Sequence, residues 1–208
     1  LVEVARAAAL CNDAALHARE DAWLAEGDPM EGALKALAGK IMREGPEPFA
    51  GWTRTDSIPF DASHRYMAVL HHDHDGHAWI YVKGAPERVL AMCASQRAAD
   101  GGGQAVDRDY WHRQIEGIAG QGQRVLAFAA RPVPHDHVVL NTADLDGHMV
   151  LVGLVGLIDP PRVEAVAAIA ECHGAGIRVK MITGDHAGTA AAIGRQIGLR
   201  NSDRVLTG

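Results

Sequence analysis

The 208-residue chain is 48% hydrophobic, enough to bury a sizeable core in one or two domains. Twenty Lys and Arg against 26 Asp and Glu give a formal charge of −6, and no basic run exceeds a pair, which argues against a nucleic-acid footprint. Three cysteines without metal-ligand spacing suit a reducing compartment, and the longest apolar run, 149–158, falls far short of the roughly 20 residues a membrane helix needs.

In chain order, residues 2–16 carry Val2, Val4, Ala5, Ala8, Ala9, Leu10 and Leu16 among few breakers and predict a helix packed on its alanine face. A polar connection leads to Gly27-Asp28-Pro29-Met30-Glu31. There Asp28 can cap, Pro29 takes the first turn and Glu31 stands three after the cap, so a second helix is predicted to about Arg43. From Gly51 the period changes to two: 52–60, 66–72 and 77–83 read as strands of an antiparallel meander, the last two joined by Asp75-Gly76. Lys83 then enters a glycine turn, with Gly84 letting backbone come close and Pro86 suited to a first helical position. Helices are predicted at 86–93 and 107–119 on either side of the flexible Asp100-Gly101-Gly102-Gly103. Gly120 and Gly122 end the second, and a strand at 124–129 precedes a polar loop through Asp146.

At about 149 the pattern becomes strand 149–158, helix 163–172, strand 178–182 and helix 187–197, a β-α-β-α order with Val- and Ile-rich strands that predicts a parallel sheet. A domain boundary is placed there, giving 1–150 and 151–208. The second part is short for a doubly wound domain, and the chain reads as a soluble piece cut at both ends.

Both predicted parallel strands end in polar turns, Asp159-Pro160-Pro161-Arg162 and Thr183-Gly184-Asp185, at the strand ends where α/β sheets bind ligands. Amides of the Gly184 turn, with Thr183, would favour a phosphoryl group at the following helix N-terminus; a plain N-cap by Thr183 or Asp185 explains the same residues. His71-His72-Asp73-His74-Asp75-Gly76-His77 offers imidazoles and carboxylates to zinc or nickel. Alternation over the hairpin turn sends His72 and His74 to one face and His71 to the other, which favours a solvated turn, and no metal ligand is assigned. Taken singly, Lys83 reads as a solvated lysine, Phe60 as a core aromatic, Arg124 as a solvated strand end and Glu31 as a capping-box carboxylate.

Taken in order, C-N-D at 11–13, G-D-P-M-E-G-A-L at 27–34, P-F-D at 59–61, K-G-A-P-E at 83–87, R-V-L-A at 124–127, G-L-I-D-P-P-R at 156–162 and M-I-T-G-D at 181–185 resemble the cytosolic region of a P-type cation-transporting ATPase. The resemblance spans the whole chain and is closer to the type II, calcium-pump-like members than to heavy-metal pumps. It implies an α+β nucleotide-binding domain, an antiparallel sheet with helices lacking its first strands, over 1–150. A partial α/β haloacid-dehalogenase-like, Rossmann-like phosphorylation domain would follow over 151–208.

Carried over position by position, Phe60 matches the aromatic that stacks on adenine, Lys83 with Gly84 the lysine turn of the nucleotide pocket, and Glu31 the carboxylate near the adenine amino group. Arg124 matches the arginine that reaches the phosphates, and Arg65 stands as the basic pocket residue. Asp159 and Arg162 match the hinge and its nucleotide contacts, while Thr183, Gly184 and Asp185 match the phosphate and nucleotide contacts beside the phosphorylation site, with Thr183 and Asp185 accessory to phosphoryl transfer. Ala62 departs from the family's usual serine.

The implied ligands are ATP and ADP, with Mg2+ in the intact enzyme. The implied partners are the phosphorylation, actuator and membrane domains of one pump, at the cytoplasmic face of a membrane, with no nucleic acid. The parent would be a hydrolase and translocase working through an aspartyl phosphate. This chain contains neither D-K-T-G-T nor G-D-G-x-N-D, so alone it is expected to bind ATP without hydrolysing it. The resemblance also implies that the transported ion is set by the membrane helices of the pump. A metal-binding or regulatory module using the 71–77 turn, and a fragment of a soluble haloacid-dehalogenase phosphatase, remain as alternatives.

Overall fold

The computed structural model describes residues 1–20, 22–43, 49, 51–159, 161–183, 187–202 and 204–206. The chain forms two compact units, one of Leu1–Arg108 with Leu126–Val155 and one of Asp109–Val125 with Gly156–Gly208. Among the described residues no helix is long and apolar enough to cross a membrane.

In the first unit, helix α1 (Val2–Leu10) ends earlier than the predicted 16. The cause is Asn12, whose amide donates to Ala8 O at 3.0 Å and Glu31 O at 2.8 Å while its Oδ1 accepts from Ala14 N at 2.9 Å. A side chain that satisfies the last carbonyls and the next N–H offers the backbone an alternative to further helix. The segment expected to be a polar connection is instead a hairpin, β1 (Ala15–Arg19) and β2 (Ala22–Glu26). Helix α2 (Pro29–Met42) starts as predicted: Asp28 Oδ1 accepts from Met30 N at 2.9 Å and Glu31 N at 3.2 Å, with Pro29 in the first turn. The alanine face of α1 is buried, Ala5 and Ala9 lying against Ala38 of α2 with Ile41, Met42 and Phe49 around them.

Strands β3 (Thr53–Ile58), β4 (Tyr66–His72) and β5 (Ala78–Gly84) form the expected antiparallel meander. They are followed by α3 (Pro86–Met92), β6 (Cys93–Arg97), β7 (Gly103–Ala105), α4 (Arg108–Ala119), β8 (Arg124–Val133), β9 (Met149–Leu157), α5 (Val163–Gly174) and α6 (Ala187–Gln196). A seven-stranded sheet runs in the order β3-β4-β5-β8-β9-β6-β7, with β3–β4, β4–β5, β5–β8 and β6–β7 antiparallel and β6–β9 parallel. Residues 66–71 are all buried, so both faces of β4 are covered and its polar alternation gives way to an apolar run.

Two further departures concern strands. β6 and β7 were not anticipated, because the pairing that makes β6 a strand, Cys93 opposite Met149, joins segments far apart in sequence. The strand predicted at 178–182 does not form. A strand exists only as a partner in a ladder, and β9 takes its parallel partner, along Met149–Leu151, from β6 instead.

In the second unit, α6 buries Thr189, Ala190, Ala192 and Gly194, whereas α5 buries no residue. Gly120 and Gly122 close α4 as predicted, Gly120 N donating to Glu116 O at 2.8 Å and Gly122 taking φ +80°.

His71 ties the sheet to α1. It is 5% exposed, and its Nε2–H donates to Leu10 O at 3.1 Å, a carbonyl that also accepts from Arg54 Nη2 at 3.4 Å. Burial, with the Arg54 charge adding to it, pushes the imidazole pKa down to about 4. The folded protein therefore holds His71 neutral, while the unfolded chain takes up a proton near pH 6.5. The resulting stabilisation is complete above pH 6.5 and is lost as the pH falls towards 4, by at most about 3 kcal/mol. Denaturant unfolding at pH 7 and pH 4.5 should show the wild type losing more stability on acidification than His71→Gln, which keeps a donor for Leu10 O but no titrating ring; equal losses would contradict this account.

Candidate functional site

Register decides which predicted residues can meet. Ile58 lies opposite Ala68 and Tyr66 opposite Gly84, so the end of β3, the start of β4 and the end of β5 share one end of the sheet. Phe60, Arg65, Lys83 and Gly84 therefore converge there. Phe60 stands just past β3 and is 61% exposed, so it is not a core aromatic.

Gly84 has a packing reason. A Cβ there would come within 2.5 Å of Arg65 O and 2.7 Å of Tyr66 Cα, so only glycine lets β5 lie this close to the start of β4. Arg65 occupies the left-handed region at φ +59°, its carbonyl accepts from Ala85 N at 2.9 Å, and its Nη1 pairs with Glu87 Oε1 at 2.7 Å. Both partners of that ion pair are about half exposed, so it orients Arg65 more than it stabilises the fold.

Lys83 is not a solvated lysine. Its side chain is 8% exposed, and its Nζ forms an ion pair with Glu31 Oε1. Nor is Glu31 a capping-box carboxylate, since Asp28 alone caps α2 and the Glu31 side chain turns away to Lys83. Its second oxygen accepts from Asp13 N at 2.8 Å. Standing in the first turn of α2, the carboxylate also lies at the positive end of the helix dipole.

The C-N-D loop at 11–13 supplies the Asp13 amide and is itself held in place. Asp13 Oδ1 accepts from Arg54 Nη1 at 2.5 Å, and Arg54 Nη2 donates to Asn12 O at 2.6 Å. Cys11 Sγ donates to Met67 O at 3.4 Å, and burial pushes its thiol up to about 12 against the lowering influence of Lys83 and Arg54. Arg54 thus holds the loop whose backbone amide holds Glu31. The signal for it, an arginine within a predicted strand, was visible but not distinctive.

The remaining expected residues belong to the second unit. Arg124 opens β8 and is exposed; Asp159 and Thr183 are exposed; Arg162 is exposed at the N-cap position of α5 and makes no capping bond. Gly184 and Asp185 lie outside the described residues. Since no strand forms at 178–182, the expected placement of Thr183 at a parallel strand end does not arise.

Comparison with known proteins matches these observations to a family. Residues 1–164 match the family described as P-type ATPase, cytoplasmic domain N. The chain is 46% identical over 190 residues, 91% of its length and 21% of the relative's, to the cation-transporting ATPase pma1 of Synechocystis sp.. It is 40% identical over 207 residues, 97% of its length and 22% of the relative's, to a probable cation-transporting ATPase F of Mycobacterium tuberculosis. It is 38% identical over 205 residues, 97% of its length and 23% of the relative's, to a calcium-transporting ATPase of Listeria monocytogenes. The chain belongs to the P-type cation-transporting ATPases and carries their cytoplasmic N domain. The mostly antiparallel α+β sheet is consistent with that domain, and the chain spans about a fifth of the length of these relatives.

Removing one partner of a largely buried ion pair strands the other charge. Lys83→Met and Glu31→Gln should each cost about 3–5 kcal/mol, the penalty of leaving one charge of a buried pair uncompensated. The double variant should lose clearly less than the two losses added together. Denaturant unfolding of the four proteins measures the coupling, and strict additivity would mean that the pair is not formed in solution.

Proposed function

We propose that this chain is the ATP- and ADP-binding part of a pump that couples ATP hydrolysis, through an aspartyl phosphate, to cation transport across a membrane. In this reading residues 1–150 are the nucleotide-binding domain, and 151–208 begin the returning half of a haloacid-dehalogenase-like phosphorylation domain. The chain then works at the cytoplasmic face, with the phosphorylation, actuator and membrane domains of the same pump as its partners. Membership of the family supports this, as does one observation above the rest: an exposed aromatic ring and a mutually neutralised Lys83–Glu31 pair at one end of the sheet.

That arrangement suits a nucleobase better than a phosphate. Phe60 offers a flat face for stacking, worth about 1–3 kcal/mol per base. A carboxylate beside an ammonium presents an acceptor next to a donor, matching the amino group and neighbouring ring nitrogen on an adenine edge. Guanine presents its oxygen and N–H in the opposite sense. Glu31 and Glu87 are each engaged by a cation and so do not fit a magnesium ion; Mg2+ belongs to the intact pump. Arg124 supplies a cation for the phosphates, and Asp159 and Arg162 form the hinge. Thr183, Gly184 and Asp185 stand beside the phosphorylation site of the whole enzyme.

Chemical-shift titration tests the binding. ATP and ADP should shift resonances of Phe60 and Lys83 and bind more tightly than GTP, and Phe60→Ala should weaken ATP binding about fivefold or more while the domain stays folded. Absence of shifts at millimolar nucleotide would overturn the reading. A second measurement addresses chemistry. After incubation with γ-labelled ATP and magnesium and an acid quench, no label should remain on the protein, because no aspartate here stands in a D-K-T-G-T segment. Acid-stable label that disappears in Asp159→Asn would contradict this.

A further inference from the structure

The turn joining β4 to β5 lies at the other end of these strands from Lys83, roughly 20 Å away over six residues at about 3.3 Å each. Its seven-residue histidine and aspartate run separates into two groups. His71 is buried and bonded to Leu10 O. His72 is committed on both nitrogens, Nδ1 to Thr55 Oγ1 at 2.6 Å and Nε2 to His135 O at 3.0 Å. Neither can ligate without breaking structure.

The other group faces a common point. One ligand atom from each of Asp73, Asp75 and His77 lies within 4.8 Å of the others. Asp73 Oδ1 accepts from Asp75 N at 2.9 Å and His77 N at 2.8 Å, which fixes the carboxylate and leaves Oδ2 directed at His77 Nδ1, 2.8 Å away. His74 lies outside that convergent set, but its Nε2 stands 3.7 Å from Asp75 Oδ1 on an exposed side chain. The backbone is already shaped, with Gly76 at φ +86°, while the His74, Asp75 and His77 side chains are more than half exposed and can adjust.

We propose that Asp73, Asp75 and His77, completed by His74, bind one divalent transition-metal ion at the tip of the β4–β5 hairpin, a site separate from the nucleotide end. Two carboxylates and two imidazoles form a mixed nitrogen and oxygen set that suits zinc, cobalt or nickel; magnesium and calcium prefer oxygen alone. Tetrahedral zinc with ligand bonds of about 2.0–2.2 Å holds its nitrogen and oxygen donors roughly 3.3 Å apart. His77 Nδ1 and Asp73 Oδ2 therefore need to separate by about half an ångström, with the metal taking the place of the hydrogen bond between them.

Cobalt(II) is a suitable probe, because a tetrahedral nitrogen and oxygen site gives it a visible absorption band. The full chain should bind one cobalt per molecule, displaced by zinc. His77→Ala and Asp75→Asn should each weaken this by more than the about tenfold that losing an outer-shell partner costs, with unchanged far-ultraviolet circular dichroism. His112→Ala on α4 should have no effect, and Phe60→Ala should leave the site intact whatever it does to nucleotide. No saturable cobalt band, or a band equally strong in His77→Ala and Asp75→Asn, would mean adventitious binding by scattered surface histidines and would overturn the proposal.

Discussion

An ammonium taken out of water costs several kcal/mol unless a charge and hydrogen bonds meet it, and Lys83 ends its strand with 8% of its side chain exposed. Much of the first unit is arranged around that requirement. Glu31 meets the charge from the first turn of α2, so α2 must start where Asp28 caps it. The Asp13 amide orients Glu31, and Arg54 holds the 11–13 loop through Asp13 and Asn12. Arg54 reaches the loop from β3, beside the point where the β3–β4 register slips between Arg54 and Asp56. A helix start, a loop, a strand irregularity and a strand end are thereby coupled through one buried pair.

That pair also shapes what its end of the sheet can recognise. A lone lysine there would present a full positive charge, well suited to phosphate. Neutralised by Glu31, it presents an ordered donor and acceptor instead, with the exposed Phe60 ring at the same end of the sheet. In the proposed reading, modest affinity follows, because stacking and a few polar contacts carry the base while the phosphates extend elsewhere. A nucleotide-binding domain in a working pump has to release its ligand as well as take it up.

Much of the secondary structure was legible locally. Asp28 and Pro29 announced α2, Asp75-Gly76 announced the β4–β5 turn, Pro86 the start of α3, and Gly120 with Gly122 the end of α4. The errors came where a distant partner or a side-chain competitor decided the outcome. Asn12 stopped α1 by bonding to Ala8 O and Ala14 N. Cys93–Arg97, with Ser95, Gln96 and Arg97 giving no apolar strand pattern, became β6 only because β9 was there to pair with. Residues 178–182, apolar and β-branched enough to read as a strand, did not become one, and the parallel partner of β9 came from β6 instead.

The sequence by itself determined the family, through short motifs in a fixed order, and most of the elements, through caps, turn residues and hydrophobic period, all of which act over a few residues. It also named Glu31, Phe60, Arg65, Lys83 and Gly84 as residues that belong together. Only the tertiary structure decided how they relate: that Lys83 is buried on Glu31, that Gly84 is glycine because the Arg65–Tyr66 backbone lies against it, and that Phe60 stays open. The physical reason is that charge neutralisation, close backbone approach and exposure depend on what packs across the sheet, and a linear pattern carries no record of which distant segment that is.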